Sequence, residues 1–302
     1  MRKIAIKIIR GIRKFVPSSI RKNEAIQTLW LRILNKNHLR KRKPHATLPF
    51  AVILTDCCNL NCKMCNSFCP LAEEYFLDVN TFERDCARLS ELANGRIKNI
   101  HLTGGEALLH PQITKFFDIA RKYFSCAHIA MLTNGILLLK QPDEFWASCK
   151  KNGILISVSR YPIKIDHSAI KRLAKKRGVA LAYHENQDVK KHWWKMQLDL
   201  SGMQDVEKNF KLCAVSNGCI QLREGKLHTC NIVTNIRSFN RYFGKNLEVT
   251  ERDYVDIYKA SSIDEILTSL SKPIPFCRYC NIKGYQYHLE WGLSKREISE
   301  WT

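Results

Sequence analysis

The sequence predicts an α/β fold built on a parallel sheet, and three observations predict it. From Phe50 onward, short apolar runs alternate with amphipathic stretches of helical period, the pattern of strands joined by crossover helices. Capping chemistry sits where the helices should begin and end: Asp78 to Thr81 offers an N-cap with Glu83 and Asp85 in the first turn, and Gly95 and Gly178 stand where helices stop. A cysteine-rich loop directly follows the first apolar run, Phe50 to Leu54, which places soft ligands at the C-terminal end of a buried strand, where barrels carry their chemistry.

Taken in order, strands are expected near 50–55, 97–102, 127–132, 153–158, 178–183 and 218–223, and helices near 80–93, 111–123, 143–150 and 166–177. Each strand candidate is a four-to-eight-residue apolar run bounded by turn formers, as buried parallel strands require. At 302 residues, with 45% apolar content, the chain is long enough for about two domains with a substantial core. Thirteen cysteines in a chain this long, without a secretory apolar region, point to a reducing cytoplasm rather than a disulfide framework.

The net charge of +21 is uneven: residues 1–44 hold fourteen Lys or Arg against Glu24 alone, leaving +8 for the remainder. Within Met1 to Val16, Ile4, Ile8, Ile9, Ile12, Phe15 and Val16 recur near helical spacing between Arg2, Lys3, Lys7, Arg10, Arg13 and Lys14. No apolar run approaches the roughly 18 residues a bilayer span needs. A basic amphipathic helix of this kind lies in an anionic membrane interface, each cation adding about 1 kcal/mol of attraction. Packing against the rest of the chain is the second reading and a nucleic-acid-binding arm the least favoured. Arg40 to Pro44 reads as a linker.

Cys58-Asn59-Leu60-Asn61-Cys62-Lys63-Met64-Cys65 is the centre of the sequence. Three thiolates at short spacing on one loop select zinc or an iron–sulfur cluster. A four-iron cubane takes four ligands, so three thiolates leave one iron open to a small molecule with oxygen and nitrogen donors. A structural zinc site completed by a distant ligand is the alternative. Forty-odd residues later, after the expected strand 97–102, comes Thr103-Gly104-Gly105-Glu106. Its glycines let backbone approach a ligand closely and its carboxylate can pair with an ammonium group.

Together these two motifs resemble the radical S-adenosylmethionine (radical SAM) family. The resemblance implies a partial (βα)6 barrel, open on one side, over residues 48–205, with an arm and linker over 1–47 and a small cysteine-rich extension over 206–302. It implies a 4Fe-4S cluster on Cys58, Cys62 and Cys65, S-adenosylmethionine (SAM) chelated to the open iron, and a 5'-deoxyadenosyl radical that abstracts hydrogen from substrate. The electron would come from a donor such as flavodoxin or ferredoxin. Gly104, Gly105 and Glu106 would hold the SAM ammonium. Asn134, within Thr133-Asn134-Gly135 after the third strand, and Ser157, Ser159 and Arg160 at the end of the fourth, match positions where relatives contact SAM. Met64 departs from the family, which has an aromatic residue before the third cysteine; a soft Met can still pack on an adenine edge.

Other residues near these motifs have plainer readings. Thr133-Asn134-Gly135 is also a simple Asn-Gly turn, and Arg160 an ordinary surface cation. His101 is expected to be a buried histidine bonded to backbone, Cys69 to be a spare loop thiol with a hydrogen-atom donor as the alternative, and Cys86, Cys126 and Cys149 to behave as small apolar residues.

The C-terminal third carries a second set of thiols: Cys213, Cys230, and the pair Cys277 and Cys280. Gln221 to Glu224, Gly225 and Lys226 to Cys230 read as a hairpin that returns Cys230 to the strand. Four cysteines can close the coordination of a cluster or a zinc ion. Their order resembles the start of the SPASM extension of radical SAM enzymes, but position 286 is Gln and no cysteine follows Cys280, which is similar to the shorter twitch arrangement and implies one auxiliary 4Fe-4S cluster. Cys219 is the rival for the place of Cys213. Lys190 to Lys195, with Trp193 and Trp194, mixes rings and cations suited to a sugar or a phosphate. The expected protein is therefore a cytoplasmic radical SAM enzyme, at the inner face of the membrane if residues 1–16 bind it. Its substrate is unidentified, with a sugar, glycan or lipid-linked intermediate favoured. A peptide-modifying maturase and a non-catalytic, zinc-binding, nucleic-acid-associated protein are the alternatives.

Overall fold

A computed structural model describes residues 44–183, 189 and 192–302. The amphipathic stretch 1–16, most of the linker at 40–44, and Lys190 and Lys191 lie outside the described residues. Arg42–Thr302 form one compact unit.

Five strands, β1 (Pro49–Ile53), β2 (Asn99–Thr103), β3 (His128–Thr133), β4 (Leu155–Val158) and β5 (Leu181–Tyr183), pair side by side in sequence order, all parallel. The crossovers between them are α1 (Val79–Ala93), α2 (Ile113–Tyr123), α3 (Asp143–Lys151) and α4 (His167–Arg177). Alternate residues of each strand face the helices. Phe50, Val52, Ile100, Leu102, Ile129, Met131, Ile156 and Val158 are buried with Phe82, Phe116, Phe117, Phe145 and Trp146 in one core. Burying each such side chain is worth about 1.5–3 kcal/mol, which holds the sheet in a single register.

Asp78 and Gly178 cap as expected, whereas Glu83 and Asp85 lie beyond the first turn of α1 and Asn94, not Gly95, is its cap. The Asp78 carboxylate accepts the Thr81 N–H at 2.8 Å, and Asp166 does the same for Ala169 at 2.8 Å. Asn94 and Gly178 end α1 and α4 with left-handed backbone, φ +43° and +65°.

The sixth parallel strand takes an unexpected place. After β6 (His192–Lys195) and α5 (Val206–Leu212), β7 (Gln221–Arg223) pairs parallel with β1 through Ala51 and Val52, on the edge away from β5. It turns into β8 (Lys226–His228), which pairs antiparallel with β7 and then with β9 (Tyr254–Asp256), so the sheet reaches eight strands among the described residues. Glu224 and Gly225 both have positive φ, +48° and +75°, the geometry of a two-residue hairpin turn that matches strand twist.

The C-terminal third thus joins the barrel's own sheet. The rest of it, α6 (Asn231–Phe243), α7 (Ile263–Leu270) and β10 (Gln286–Glu290), follows the hairpin, and β10 pairs antiparallel with β6. A second core gathers Phe68, Leu71, Met196, Leu198, Phe239, Phe276 and Trp301. Phe68, three residues past Cys65, packs its ring tilted against Phe239 at 5.7 Å and Trp301 at 6.0 Å. Among the described residues no helix is long and apolar enough to cross a membrane.

Two expectations are corrected. His101 is exposed, because it sits on the face of β2 opposite Ile100 and Leu102, away from the helix-packed core. Cys126 is exposed in the turn between α2 and β3, whereas Cys86 and Cys149 are fully buried.

Candidate functional site

The C-terminal ends of β1 to β4 converge on the cysteine loop. Thr55 and Cys57 carry it away from β1, and the loop after β2 is stitched across them: Gly105 N–H donates to Thr55 O and Glu106 N–H to Cys57 O, both at 2.8 Å. This crossing dictates the two glycines. A Cβ at Gly104 would lie 2.5 Å from Thr55 O, and one at Gly105 only 2.2 Å from Cys57 O. The close approach these glycines permit is to the chain's own backbone.

Glu106 is 1% exposed at this crossing. Its Oε1 accepts from Thr133 Oγ1 at 2.6 Å and Leu108 N–H at 3.1 Å, and its Oε2 from Asn134 N–H at 2.7 Å. Burial, the largest influence, pushes the carboxyl above its ordinary value, while these donors pull it back. A carboxylate has about four acceptor sites, so one remains on Oε2. Asn134 also donates through Nδ2 to Asn59 Oδ1 at 2.7 Å, inside the cysteine loop. Thr133-Asn134-Gly135 is therefore a turn that also orients Glu106 and the loop.

Cys58, Cys62 and Cys65 share one electrostatic neighbourhood with Glu106. Burial pushes the Cys58 thiol up to about 12, reinforced by Cys65, Glu106 and Cys62, while the Leu60 N–H reaches its sulfur at 3.4 Å. The Cys65 thiol is drawn down to about 7 by a hydrogen bond from Cys69, whose own thiol is held well above its ordinary value by that bond and by burial. All thirteen cysteines are free of disulfides. Three soft donors in one buried field, with backbone N–H groups around them, fit a cluster that needs thiolates. No three His, Cys, Asp or Glu side chains among the described residues converge on the space of a single metal ion.

Three indoles hold this loop. Trp193 Nε1 donates to Met64 O at 3.1 Å, Trp301 Nε1 to Cys65 O at 2.9 Å, and Trp291 Nε1 to Cys62 Sγ at 3.2 Å. Met64 is buried and left-handed, φ +57°. Tyr161, just past β4, stacks on Trp193 at 6.0 Å and lies 6.1 Å from Trp291. Ser157 is half-buried on the strand face opposite Ile156 and Val158. Ser159 is bonded through its N–H to Thr133 O at 2.9 Å. The Arg160 guanidinium lies 5.5 Å from the Tyr183 ring centre.

The second set of thiols is also brought together. Cys213 stands at the end of α5, Cys230 at the start of α6, Cys277 in the middle of the turn Pro275–Tyr279 and Cys280 directly after it. Burial, with Cys213 and the neighbouring thiols adding to it, raises Cys230 and Cys280 well above the ordinary thiol value and Cys277 to about 12. Asn209 Nδ2 ties the two cysteines' backbones together by donating to Cys277 O and Cys280 O. Cys219 lies in the same field, a fifth thiol beside the four.

Residues 52–186 match the model of the Radical SAM superfamily. These residues form a radical SAM domain. The curated relatives are more distant. GTP 3',8-cyclase of Chlorobaculum tepidum is 33% identical over 92 residues, 30% of this chain and 27% of that protein. GTP 3',8-cyclase of Campylobacter fetus subsp. fetus is 30% identical over 90 residues, 30% of this chain and 28% of that protein. The chain thus spans little more than a quarter of each of these two relatives. Among solved structures, BtrN in complex with AdoMet and 2-DOIA is 16% identical, covering 79% of this chain and 94% of that one, with a TM-score of 0.49. The anSMEcpe structure with bound AdoMet is 21% identical, covering 45% of this chain and 42% of that one, with a TM-score of 0.36.

Members of the radical SAM superfamily are enzymes. The radical SAM domain supplies the cysteine loop, Glu106 and the ends of β1 to β4; residues outside 52–186 supply Trp193, Trp291 and Trp301. Sequence reasoning singled out Trp193 within an aromatic segment but missed Tyr161, Trp291 and Trp301, because no local spacing links them to the cysteines.

Proposed function

We propose that this chain cleaves SAM reductively and uses the resulting radical to abstract hydrogen from a sugar, glycan or lipid-linked substrate. The observation that carries the reading is the buried Glu106, hydrogen-bonded to Thr133 and Asn134 after β3, on a loop whose backbone is tied to Cys57 at the entrance of the loop that carries Cys58, Cys62 and Cys65. Those cysteines would hold a 4Fe-4S cluster, which when bound supplies the electron that breaks the carbon–sulfur bond of SAM. Glu106 offers its remaining acceptor site to the SAM ammonium, and Ser157, Ser159 and Arg160 stand at the end of β4 for the carboxylate and ribose hydroxyls. Tyr161 and Trp193 present stacked rings beside the loop, a surface suited to the apolar face of a sugar.

Cys213, Cys230, Cys277 and Cys280 would hold an auxiliary cluster, supported by the Asn209 bonds that tie Cys277 to Cys280, the burial of Cys213 and Cys280, and the influence of these thiols on one another. Residues 1–16 would bring the enzyme to an anionic membrane surface, which vesicle co-sedimentation with and without that segment tests. The central test is anaerobic reconstitution with iron and sulfide, followed by dithionite and SAM. The unmodified protein is expected to release 5'-deoxyadenosine, and the variant with Ala at Cys58, Cys62 and Cys65 to release none. Cleavage by the triple variant would sink the proposal.

A further inference from the structure

Of the three indoles that reach the cysteine loop, one touches sulfur. Trp291 Nε1 donates to Cys62 Sγ at 3.2 Å, across 229 residues of sequence, whereas Trp193 and Trp301 donate to carbonyl oxygens. The contact is held by backbone on both sides. Cys62 pairs antiparallel with Leu293, Lys63 N–H donates to Gly292 O at 2.9 Å, and Ser294 N–H donates to Asn61 O at 2.7 Å. Asn61 Nδ2 returns a bond to Ser294 O at 3.1 Å. Residues 291–294 therefore run along the loop as a short paired strap, which holds the Trp291 backbone beside Cys62. Indole N–H is a donor only, so the bond has one possible direction. It is strongest when the sulfur is a thiolate, since hydrogen bonds to ionised acceptors are about twice as strong as neutral ones.

We propose that Trp291 is a positioning residue that raises the reduction potential of the cluster held by Cys58, Cys62 and Cys65, by donating its N–H to the Cys62 sulfur. The inference rests on the cluster reading of that site. Adding an electron makes the cluster and its thiolate ligands more negative, so a fixed donor stabilises the reduced state more than the oxidised one, and hydrogen bonds to the sulfurs are among the features that set such potentials. Trp193 and Trp301 hold the loop's shape without touching a ligand atom, so their N–H groups lack this effect.

The test uses the full chain, reconstituted anaerobically, with iron and sulfide counted per chain and the SAM-free cluster titrated potentiometrically by electron paramagnetic resonance. Trp291→Phe keeps the ring and removes the donor; Trp291→Leu removes both; Trp291→Gln keeps an N–H donor. The Phe and Leu variants are expected to shift the reduction equilibrium toward the oxidised state by on the order of tenfold, about 59 mV more negative for one electron. Gln should shift it less, and Trp301→Phe should leave it within about twofold of the parent. A Phe variant that retains its cluster at the parent potential overturns the proposal. So does an equal shift in Phe, Leu and Gln, which would assign the effect to packing, and so does loss of iron from all three variants while Trp301→Phe keeps it. An unmodified protein with no iron–sulfur signal would remove the cluster reading itself, and this inference with it.

Discussion

Asp56 and Arg223 meet as a bidentate pair, Oδ1 to Nη1 at 2.9 Å and Oδ2 to Nη2 at 2.8 Å, with side chains only 5% and 6% exposed. Arg237 adds a second cation to Oδ2 at 2.9 Å, and both guanidiniums lie over the Tyr75 ring, at 4.2 and 4.9 Å from its centre. Burial, the largest influence, pushes the Asp56 carboxyl above its ordinary value despite the Arg223 guanidinium. The pair fastens the start of the cysteine loop to β7 and, through Arg237 and the Asn235 Oδ1 that accepts from Arg223 at 3.1 Å, to α6. It joins the segments that carry the two sets of thiols.

Breaking one side of that pair strands a buried charge. Asp56→Ala is expected to lower the unfolding free energy by about 3–5 kcal/mol, and the double variant Asp56→Ala, Arg223→Met by much less. Urea unfolding of both variants decides it. Equal losses would show that packing of Asp56, and not the unpaired Arg223, sets the cost.

Gly105 stands where the second loop crosses the first. With Cys57 O only 2.2 Å from the place of a Cβ, Gly105→Ala has to move backbone rather than a flexible side chain. We expect a lower thermal midpoint and less than half the parent's reconstituted iron, by analogy with overpacking costs of about 1–3 kcal/mol or more. Parent-like iron content and thermal midpoint together would refute the steric account.

For Glu106, two effects separate by variant. Glu106→Ala leaves the Thr133, Asn134 and Leu108 donors without their acceptor, each worth about 1–3 kcal/mol when buried. It also removes the charge offered to SAM, so affinity should fall on the order of 10- to 100-fold. Glu106→Gln keeps one acceptor oxygen, and should recover part of the stability while SAM binding, read by equilibrium dialysis, stays weak. SAM affinity at the parent level in both variants would remove Glu106 from the ligand site.

The auxiliary thiols make a separate prediction. In the variant lacking Cys58, Cys62 and Cys65, iron should fall from roughly eight to roughly four per chain, the content of one remaining four-iron cluster. Further replacing Cys230 should remove the rest and loosen the C-terminal third, since metal binding of this kind contributes to folding. Zinc in the triple variant would refute the auxiliary cluster while leaving the radical SAM domain intact.

Much of this was legible in the sequence because it is local. The apolar runs of β1 to β5, the caps at Asp78 and Gly178, the Glu224-Gly225 turn and the spacing of Cys58, Cys62 and Cys65 are all read within a few residues, where side-chain period and backbone sterics decide the outcome. His101 shows the limit even there. Alternation placed it between Ile100 and Leu102, but whether its own side of β2 is covered depends on what packs there.

What the tertiary structure alone decided is which distant surfaces meet. The edge that β7 occupies, the Asp56–Arg223 pair and the strap that lays Trp291 on Cys62 join segments roughly 170 to 230 residues apart. No periodicity encodes such meetings, because a strand edge, a buried cation or an indole N–H is satisfied by whichever complementary group the folded chain brings within reach. The sequence determined the elements and the thiols; the pairing of β7 along β1 determined what stands over them, since a strand edge and the apolar surface beside it are stabilised only by the distant segment that folding brings against them.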